Sequence, residues 1–83
     1  MWFVYILLCQ DSSLYTGVAR DPEKRFLLHQ SGIGAKYTRS HKPLRIIYQE
    51  QVASYSKALK REREIKNWSR EDKIQNLSLI VKL

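Results

Sequence analysis

The sequence predicts a single domain of the α/β (α+β) class, with its elements in the order β-β-α-β-α-α. The chain has 83 residues, and a chain of this size buries roughly 64% of its unfolded surface, which is enough for one modest core. Hydrophobic residues make up 43% and charged residues 28% of the sequence, a balance typical of folded domains. Three runs with strand character and three segments that begin at helix-capping residues supply the elements.

Two strands open the chain. Residues Trp2 to Cys9 are rich in β-branched and aromatic side chains, which is typical of a buried strand. Residues Leu14 to Ala19 have the same character and predict a second strand. The residues between them, Gln-Asp-Ser-Ser at 10–13, favour turns. So short a connection predicts a β-hairpin.

The register of this hairpin decides whether two tyrosines can serve one site. Side chains alternate between the faces of a sheet, so Tyr5 and Tyr15 share a face only if the numbers of opposing residues add up to an even number. A three-residue loop over residues 10–12 meets this condition and sets Tyr5 opposite Gly17. Such loops usually end in a residue with a positive φ, here Ser12. A two- or four-residue loop would place the tyrosines on opposite faces.

A helix follows the hairpin. Asp21 has the character of an N-cap, Pro22 suits the first helical position, and Glu23 adds an acid to the first turn. Glycine favours helix ends, so the helix is predicted to stop near Gly32. The polar and basic residues 33–42 are predicted to form a loop.

The second half of the chain predicts one strand and two helices. Leu44 to Gln51 has strand character. Ser54 or Ser56 can cap a helix that reaches about Trp68, and Ser69 can cap a last short helix.

The charge of the chain points to a polyanionic partner. Lys and Arg total 15 against 8 Asp and Glu, a formal net charge of +7. Residues 20–45 hold seven basic and two acidic side chains, and residues 57–73 hold seven basic and four acidic ones. Such an imbalance favours nucleic acid ahead of an anionic membrane surface. The alternative is a solvated surface that keeps a small protein soluble.

The residue inventory excludes several classes. A single cysteine, Cys9, allows no intramolecular disulfide and no cysteine-based zinc cluster. The apolar run from Met1 to Cys9 is too short to span a bilayer and lacks the features of a signal peptide. The chain has no glycine-rich dinucleotide motif and no P-loop. These observations predict a soluble, cytoplasmic, single-domain protein.

The helix after the third strand carries a carboxylate on its apolar side. At 100° per residue, Glu62 falls within the apolar stripe and Glu64 on the opposite, wet side. The stripe consists of Tyr55, Ala58, Leu59 and Ile65. A carboxylate placed on a buried stripe costs several kcal/mol unless it is paired or binds a metal. Glu62 therefore has two interpretations: an ion pair with a basic residue, or a ligand of a divalent metal ion.

Five further residues are candidates for a site. Arg25 and His29 lie four residues apart on one helix face, an arrangement that suits a phosphate but also occurs at ordinary surfaces. Gly17 inside a strand often marks a close approach of a ligand or of another part of the chain. Tyr5 and Tyr15 are good strand formers, and this alone explains their presence.

Taken together, these residues resemble the GIY-YIG nuclease domain, and most closely its small, single-domain bacterial members of uncharacterised function. The matching segments cover nearly the whole chain: Phe3-Val4-Tyr5-Ile6-Leu7, Tyr15-Thr16-Gly17, Arg25, His29, the loop from Gly32 to Ser40, and Ala58-Leu59-Lys60-Arg61-Glu62. The sequence departs from the family pattern at four places. Phe3 and Thr16 replace a glycine and an isoleucine, Ser12 stands where relatives commonly carry glycine, and a late asparagine has only Asn67 and Asn76 as candidates.

The resemblance implies a fold and a site. The fold is a small three-stranded antiparallel sheet flanked by helices, formed by residues 1–83 as one domain. The activity is hydrolysis of phosphodiester bonds in nucleic acid with a single Mg²⁺ or Mn²⁺. The implied catalytic residues are Tyr5, Tyr15, Arg25, His29 and Glu62, with Glu62 as the metal ligand. Arg25 would stabilise the charged phosphate, Tyr15 would act as general base or within a proton relay, and the Tyr5 hydroxyl would orient water or phosphate. His29 would be a secondary acid, base or phosphate contact.

The resemblance also implies a partner. Gly17, Lys36, Tyr37 and Arg39 are assigned to contacts with nucleic acid, with DNA favoured over RNA, and the protein is expected to be a monomer without a membrane partner. Two alternatives remain open. One is a nucleic-acid-binding module of the same fold with weak or no cleavage, and the other is an accessory domain that binds a protein partner.

Overall fold

The computed structural model describes residues 1–82, so residue 83 of the predicted domain lies outside the described residues. Within them the chain forms three strands and four helices. These are β1 (Trp2–Cys9), β2 (Leu14–Ala19), α1 (Pro22–Gln30), α2 (Lys36–Ser40), β3 (Pro43–Val52), α3 (Tyr55–Lys66) and α4 (Arg70–Asn76). The predicted order β-β-α-β-α-α is confirmed for the six predicted elements, and α2 is an additional short helix.

The strands form one antiparallel sheet in the order β2-β1-β3. The predicted fold class is therefore confirmed. β1 lies at the centre, and its residues from Val4 to Cys9 are all buried. A strand that pairs on both sides and packs on both faces needs apolar side chains throughout, which explains the unbroken hydrophobic run in the sequence.

The hairpin has the register that brings the tyrosines together. Cys9 N–H donates to the Ser13 carbonyl at 3.0 Å, which closes the three-residue loop. Ser12 has φ 72°, the left-handed conformation that this loop requires. Tyr5 lies opposite Gly17, so Tyr5 and Tyr15 are on the same face of the sheet. All three features were predicted and are confirmed.

Each face of the sheet has its own core. On one face Val4 and Ile6 pack against Ala58 and Ile65 of α3. On the opposite face, Phe26 of α1 packs against side chains of the sheet. This second cluster consists of Tyr5, Leu7, Ala19, Tyr15, Phe26 and Ile46. The sheet therefore lies between α3 on one face and α1 on the other. Side chains from both helices can contribute to a site at the β2 edge.

The caps of three helices agree with the sequence. Asp21 Oδ1 accepts from Lys24 N–H at 3.2 Å at the start of α1. Ser54, rather than Ser56, caps α3, and Ser69 caps α4. Helix α3 ends at Lys66, two residues before the predicted position.

The prediction of a loop over residues 33–42 was wrong for five of its residues, which form α2. The helix is preceded by Ala35, whose side chain offers no cap. Its Thr38 is buried and hydrogen-bonds to His29 and to the Ala35 carbonyl. Contacts with a distant residue stabilise this short helix, and it has no side-chain cap. The residues within it therefore give no sequence pattern from which a helix could be predicted.

A polar network joins α3 to the edge strand β3. Arg61 Nε lies 2.9 Å from a Glu50 carboxylate oxygen, and both side chains are about one-quarter exposed. The Tyr48 hydroxyl donates to the same carboxylate at 2.5 Å, and Arg61 also pairs with Glu64. The network fixes α3 relative to the sheet.

None of the helices in residues 1–82 has the length and apolar character needed to cross a membrane.

Candidate active site

A buried chain of hydrogen bonds forms the floor of the candidate site. The Tyr5 hydroxyl lies 2.9 Å from His29 Nε2, and His29 Nδ1 lies 2.8 Å from Thr38 Oγ1. Thr38 donates its hydroxyl proton to the Ala35 carbonyl at 2.9 Å. The Thr38 oxygen therefore accepts a hydrogen bond from His29 Nδ1–H, and His29 Nε2 accepts one from the Tyr5 hydroxyl. The Ala35 N–H also points at Nδ1, but at 3.3 Å this contact is too long to decide the tautomer.

Two glycines make room for this chain. A Cβ atom on Gly34 would lie 2.2 Å from His29 Nδ1, and one on Gly17 would lie 2.5 Å from the Tyr5 hydroxyl oxygen. Real Cβ atoms essentially never approach so closely. The close approach expected at Gly17 is thus made by the phenol ring of Tyr5. Contact of Gly17 with nucleic acid stays a prediction.

Tyr15 lies against the outer side of this floor. Its ring centroid is 5.0 Å from that of His29, in edge-on geometry, and 6.5 Å from that of Tyr5. Tyr37 of α2 stacks on Tyr15 at 5.8 Å and on His41 at 4.0 Å. The structure therefore brings together three of the predicted site residues and one predicted nucleic-acid contact.

The surroundings of the two tyrosines keep both phenols protonated. Burial raises the pKa of Tyr5, the nearby Tyr15 raises it further, and the Arg25 guanidinium opposes this only in part. Burial also raises the pKa of Tyr15, and Lys66 and Arg25 oppose this only in part. Both phenols are neutral at pH 7. The expectation that Arg25 would supply positive charge holds in direction, but burial outweighs it.

Glu62 faces the site and already has a partner. Its side chain is 19% exposed, and its carboxylate lies 3.1 Å from Lys66 Nζ. The negative charge of Glu62 contributes to the raised pKa values of Tyr5 and Tyr15, so the carboxylate is within electrostatic reach of both. The ion pair proposed as one interpretation is therefore present.

The residues also fit a metal ion of one class. In residues 1–82 no group of three or more His, Cys, Asp or Glu side chains could enclose a cation. Magnesium does not need such a cage, since it usually retains several waters and binds through one or two carboxylates and substrate phosphates. A lone carboxylate such as Glu62 matches this pattern.

The remaining predicted contacts lie on the surface. Arg25 is exposed on α1, and its charge acts on Tyr5, Tyr15 and His29. Lys36 and Arg39 are exposed on α2. The two candidates for a late asparagine, at positions 67 and 76, are also exposed.

Comparison with known proteins decides the family. The GIY-YIG catalytic domain matches residues 1–76. The chain belongs to the GIY-YIG family. The resemblance seen in the sequence is therefore confirmed, and the match spans every strand and helix described above.

Its GIY-YIG relatives include small proteins of similar length. A UPF0213 protein of Staphylococcus saprophyticus is 50% identical over 76 residues, which cover 92% of this chain and 93% of that protein. Two relatives have solution NMR structures. The UPF0213 protein of Bacillus halodurans is 43% identical with a TM-score of 0.59, over 94% of this chain and 84% of that one. A protein from E. faecalis is 40% identical with a TM-score of 0.63, over 92% and 81%.

Some residues of the GIY-YIG site were not assigned a role from the sequence. Thr38 and Gly34 lie within the loop that matched the family, but their contact with His29 depends on the fold. Lys66 could have been found, because it lies four residues after Glu62 and so on the same helix face. His41 had no sequence signal, since its partner Asp11 is thirty positions away in the hairpin turn.

The buried His29 predicts how the stability of this GIY-YIG domain depends on pH. Burial lowers the pKa of His29 below its usual 6.5, and Arg25 lowers it further. Below pH 6.5 the unfolded chain therefore binds a proton that the folded chain does not, so stability falls as the pH falls. The midpoint of thermal unfolding is expected to be lower at pH 5 than at pH 8, and His29→Gln should reduce this difference. His41→Gln, at the other histidine of the sequence, is the control and should not reduce it. Equal pH dependence in the wild type and His29→Gln would contradict the assignment.

Proposed function

We propose that this protein is a metal-dependent endonuclease that hydrolyses phosphodiester bonds in nucleic acid. The observation that carries the proposal is the position of Glu62 beside the tyrosines: Lys66 Nζ lies 3.1 Å from the Glu62 carboxylate and 6.0 Å from the centroid of the Tyr15 ring. The family match supports the same reading, because it is to a catalytic domain.

Each residue has a distinct task in the proposed reaction. Arg25 has an exposed guanidinium beside the tyrosines, and it would stabilise the negative charge that builds up on the phosphate. Glu62 would hold Mg²⁺ or Mn²⁺. A bound ion of this kind supplies Lewis acidity and stabilises the leaving oxygen. Lys66 contacts one carboxylate oxygen of Glu62, which leaves the other oxygen for the ion.

The proton of the attacking water is the difficult part of the reaction. Tyr15 is the proposed relay, but burial keeps its phenol protonated at pH 7. The Tyr5 hydroxyl donates its hydrogen bond to His29, so its oxygen can accept a hydrogen bond from the attacking water but has no proton left to donate to a phosphate oxygen. His29 is thus a positioning residue for Tyr5. A phenol with a raised pKa loses its proton, and so becomes able to act as a base, only in alkaline solution. Cleavage should therefore be measured at pH 9 as well as pH 7.

The second candidate is a nucleic-acid-binding module without cleavage. The observation that favours it is the Glu62–Lys66 ion pair, which satisfies the carboxylate without a metal.

We favour DNA over RNA as the partner, a monomeric state and a cytoplasmic location. The cleavage assay separates the two candidates and tests the choice of nucleic acid.

The test of function is a cleavage screen. Single-stranded, duplex, flapped and branched DNA and RNA are incubated with the protein and Mg²⁺ or Mn²⁺, at pH 7 and pH 9. The proposal expects cleavage of at least one substrate, dependent on the metal and stopped by a chelator. Tight binding without cleavage under all conditions would favour the binding module.

Binding is expected to depend strongly on salt. If four to six duplex phosphates are neutralised, log K against log salt should have a slope of about −4 to −5, because each contact releases counterions. Titration of a labelled duplex without divalent metal, at several salt concentrations, measures this slope. A nearly flat line would favour the accessory domain that binds a protein partner.

A further inference from the structure

Three basic residues of α3 and α4 lie along β2 and the hairpin loop that precedes it. Lys66 ends α3, and its Nζ lies 6.0 Å from the centroid of the Tyr15 ring. Lys73 of α4 donates from Nζ to Thr16 Oγ1 at 3.2 Å. Arg70 donates to the Ser12 carbonyl at 2.9 Å and to Ser12 Oγ at 3.1 Å. The positive charges thus extend from Tyr15 to the tip of the hairpin.

Two of these cations are fixed in place without being neutralised. Arg70 and Lys73 have no ion-pair partner in the part of the chain that the structure describes, and their acceptors are neutral oxygens. Lys73 is half-buried, and burial together with the charge of Lys66 lowers its pKa. Two ammonium groups held near each other repel, and removal of one from water adds to the cost. An anion bound between the ammonium groups of Lys66 and Lys73 would reduce their repulsion and offset the cost of removing Lys73 from water.

We propose that Lys66, Arg70 and Lys73 form a row of phosphate contacts, along which the backbone of a bound nucleic acid runs from Tyr15 towards the hairpin tip. This inference rests on the proposed function, since it extends the same substrate beyond the reacting phosphate. Lys36 and Arg39 lie on α2, whose Tyr37 stacks on Tyr15. Both basic groups therefore lie close to Tyr15, where the proposed path of the backbone begins.

The hydrogen bonds of the row serve this role. A free lysine or arginine loses side-chain entropy when it binds a phosphate. Arg70 and Lys73 have already lost part of it through their bonds to Ser12 and Thr16. The ammonium group of Lys73 has three donors, of which Thr16 takes one. The others can bind a phosphate without disturbing the hairpin.

The test is the salt dependence of duplex binding without divalent metal. The double variant Arg70→Gln/Lys73→Gln removes two phosphate contacts and should make the slope of log K against log salt less steep by about 1.8. The double variant Lys57→Gln/Lys60→Gln removes the same charge from exposed positions on α3 and should change the slope much less. The swap Arg70→Lys/Lys73→Arg keeps both charges and should retain the wild-type slope.

Several outcomes would overturn the row. One is a wild-type slope in Arg70→Gln/Lys73→Gln, and another is an equal loss in the α3 control. If Arg70→Gln/Lys73→Gln does not fold, an NMR titration of the wild type with the same duplex decides, because amides of residues 70–73 must shift more than those of residues 57–60. A steep wild-type slope that these residues do not influence would refute the row and leave the proposed function intact. No binding by the wild type would refute both.

Discussion

Replacing Glu62 with glutamine is expected to lower the rate of cleavage by at least about 100-fold, the scale of losing one main electrostatic contribution at an active site. Glutamine keeps the size of the side chain and can still form hydrogen bonds, but it lacks the charge that holds a hard cation. The fold should remain intact, since the change breaks a pair with a half-exposed lysine, and such pairs contribute about 0.2–1 kcal/mol. Binding of nucleic acid should be unchanged or tighter, because a negative charge near the phosphates is lost.

Glu64→Gln is the matched control. Glu64 lies two residues further along α3, is more than half exposed and pairs with Arg61 instead. It should cleave like the wild type. The measurement is the initial rate of cleavage together with circular dichroism of each variant. Unfolding of Glu62→Gln would show that the ion pair is structural, and wild-type activity in both variants would remove metal catalysis from this helix.

Gly34→Ala is expected to lower the free energy of unfolding by about 2 kcal/mol, which would lower the thermal midpoint by about 8–16 °C. The new Cβ would meet His29 Nδ1, whose ring is buried and held at both nitrogens. The ring cannot move without breaking its bond to Tyr5 or to Thr38. Thermal unfolding followed by circular dichroism measures the effect. Any cleavage activity should fall with it, since Tyr5 loses its acceptor.

A double-mutant cycle tests the mechanism of this effect. In a His29→Ala background the ring is absent, so Gly34→Ala should cost much less than it does in the wild type. Ile33→Ala, at an exposed neighbouring position, is the control and should change stability by less than about 0.5 kcal/mol. If Gly34→Ala costs the same with and without the imidazole, the clash is not its cause.

The sequence predicted the elements whose stability is local. The caps at Asp21 and Ser69 and the three-residue hairpin loop with Ser12 at positive φ all depend on neighbours within a few positions. The position of Glu62 on the inner side of α3 followed from helical periodicity alone. The family pattern added Tyr15, which by itself is only a good strand former.

The parts that could not be predicted depend on contacts between distant residues. Helix α2 exists because Thr38 meets His29, and no pattern within residues 33–42 shows this. The direction of the tyrosine pKa values depends on burial, which a motif does not report. The pairing of Arg70 with Ser12 joins residues 58 positions apart.

The central position of β1 also has a consequence for the behaviour of the chain outside its folded state. The run from Val4 to Cys9 has no charge, no proline and no glycine, and such six-residue segments readily form cross-β fibrils when exposed. In the fold both edges of this strand are paired, by β2 and by β3. The exposed Arg45 lies within the edge strand β3, and a charged side chain on an edge strand discourages pairing with another molecule. Resistance to aggregation is therefore a property of the complete sheet, and a variant that detaches either outer strand exposes the segment best able to assemble.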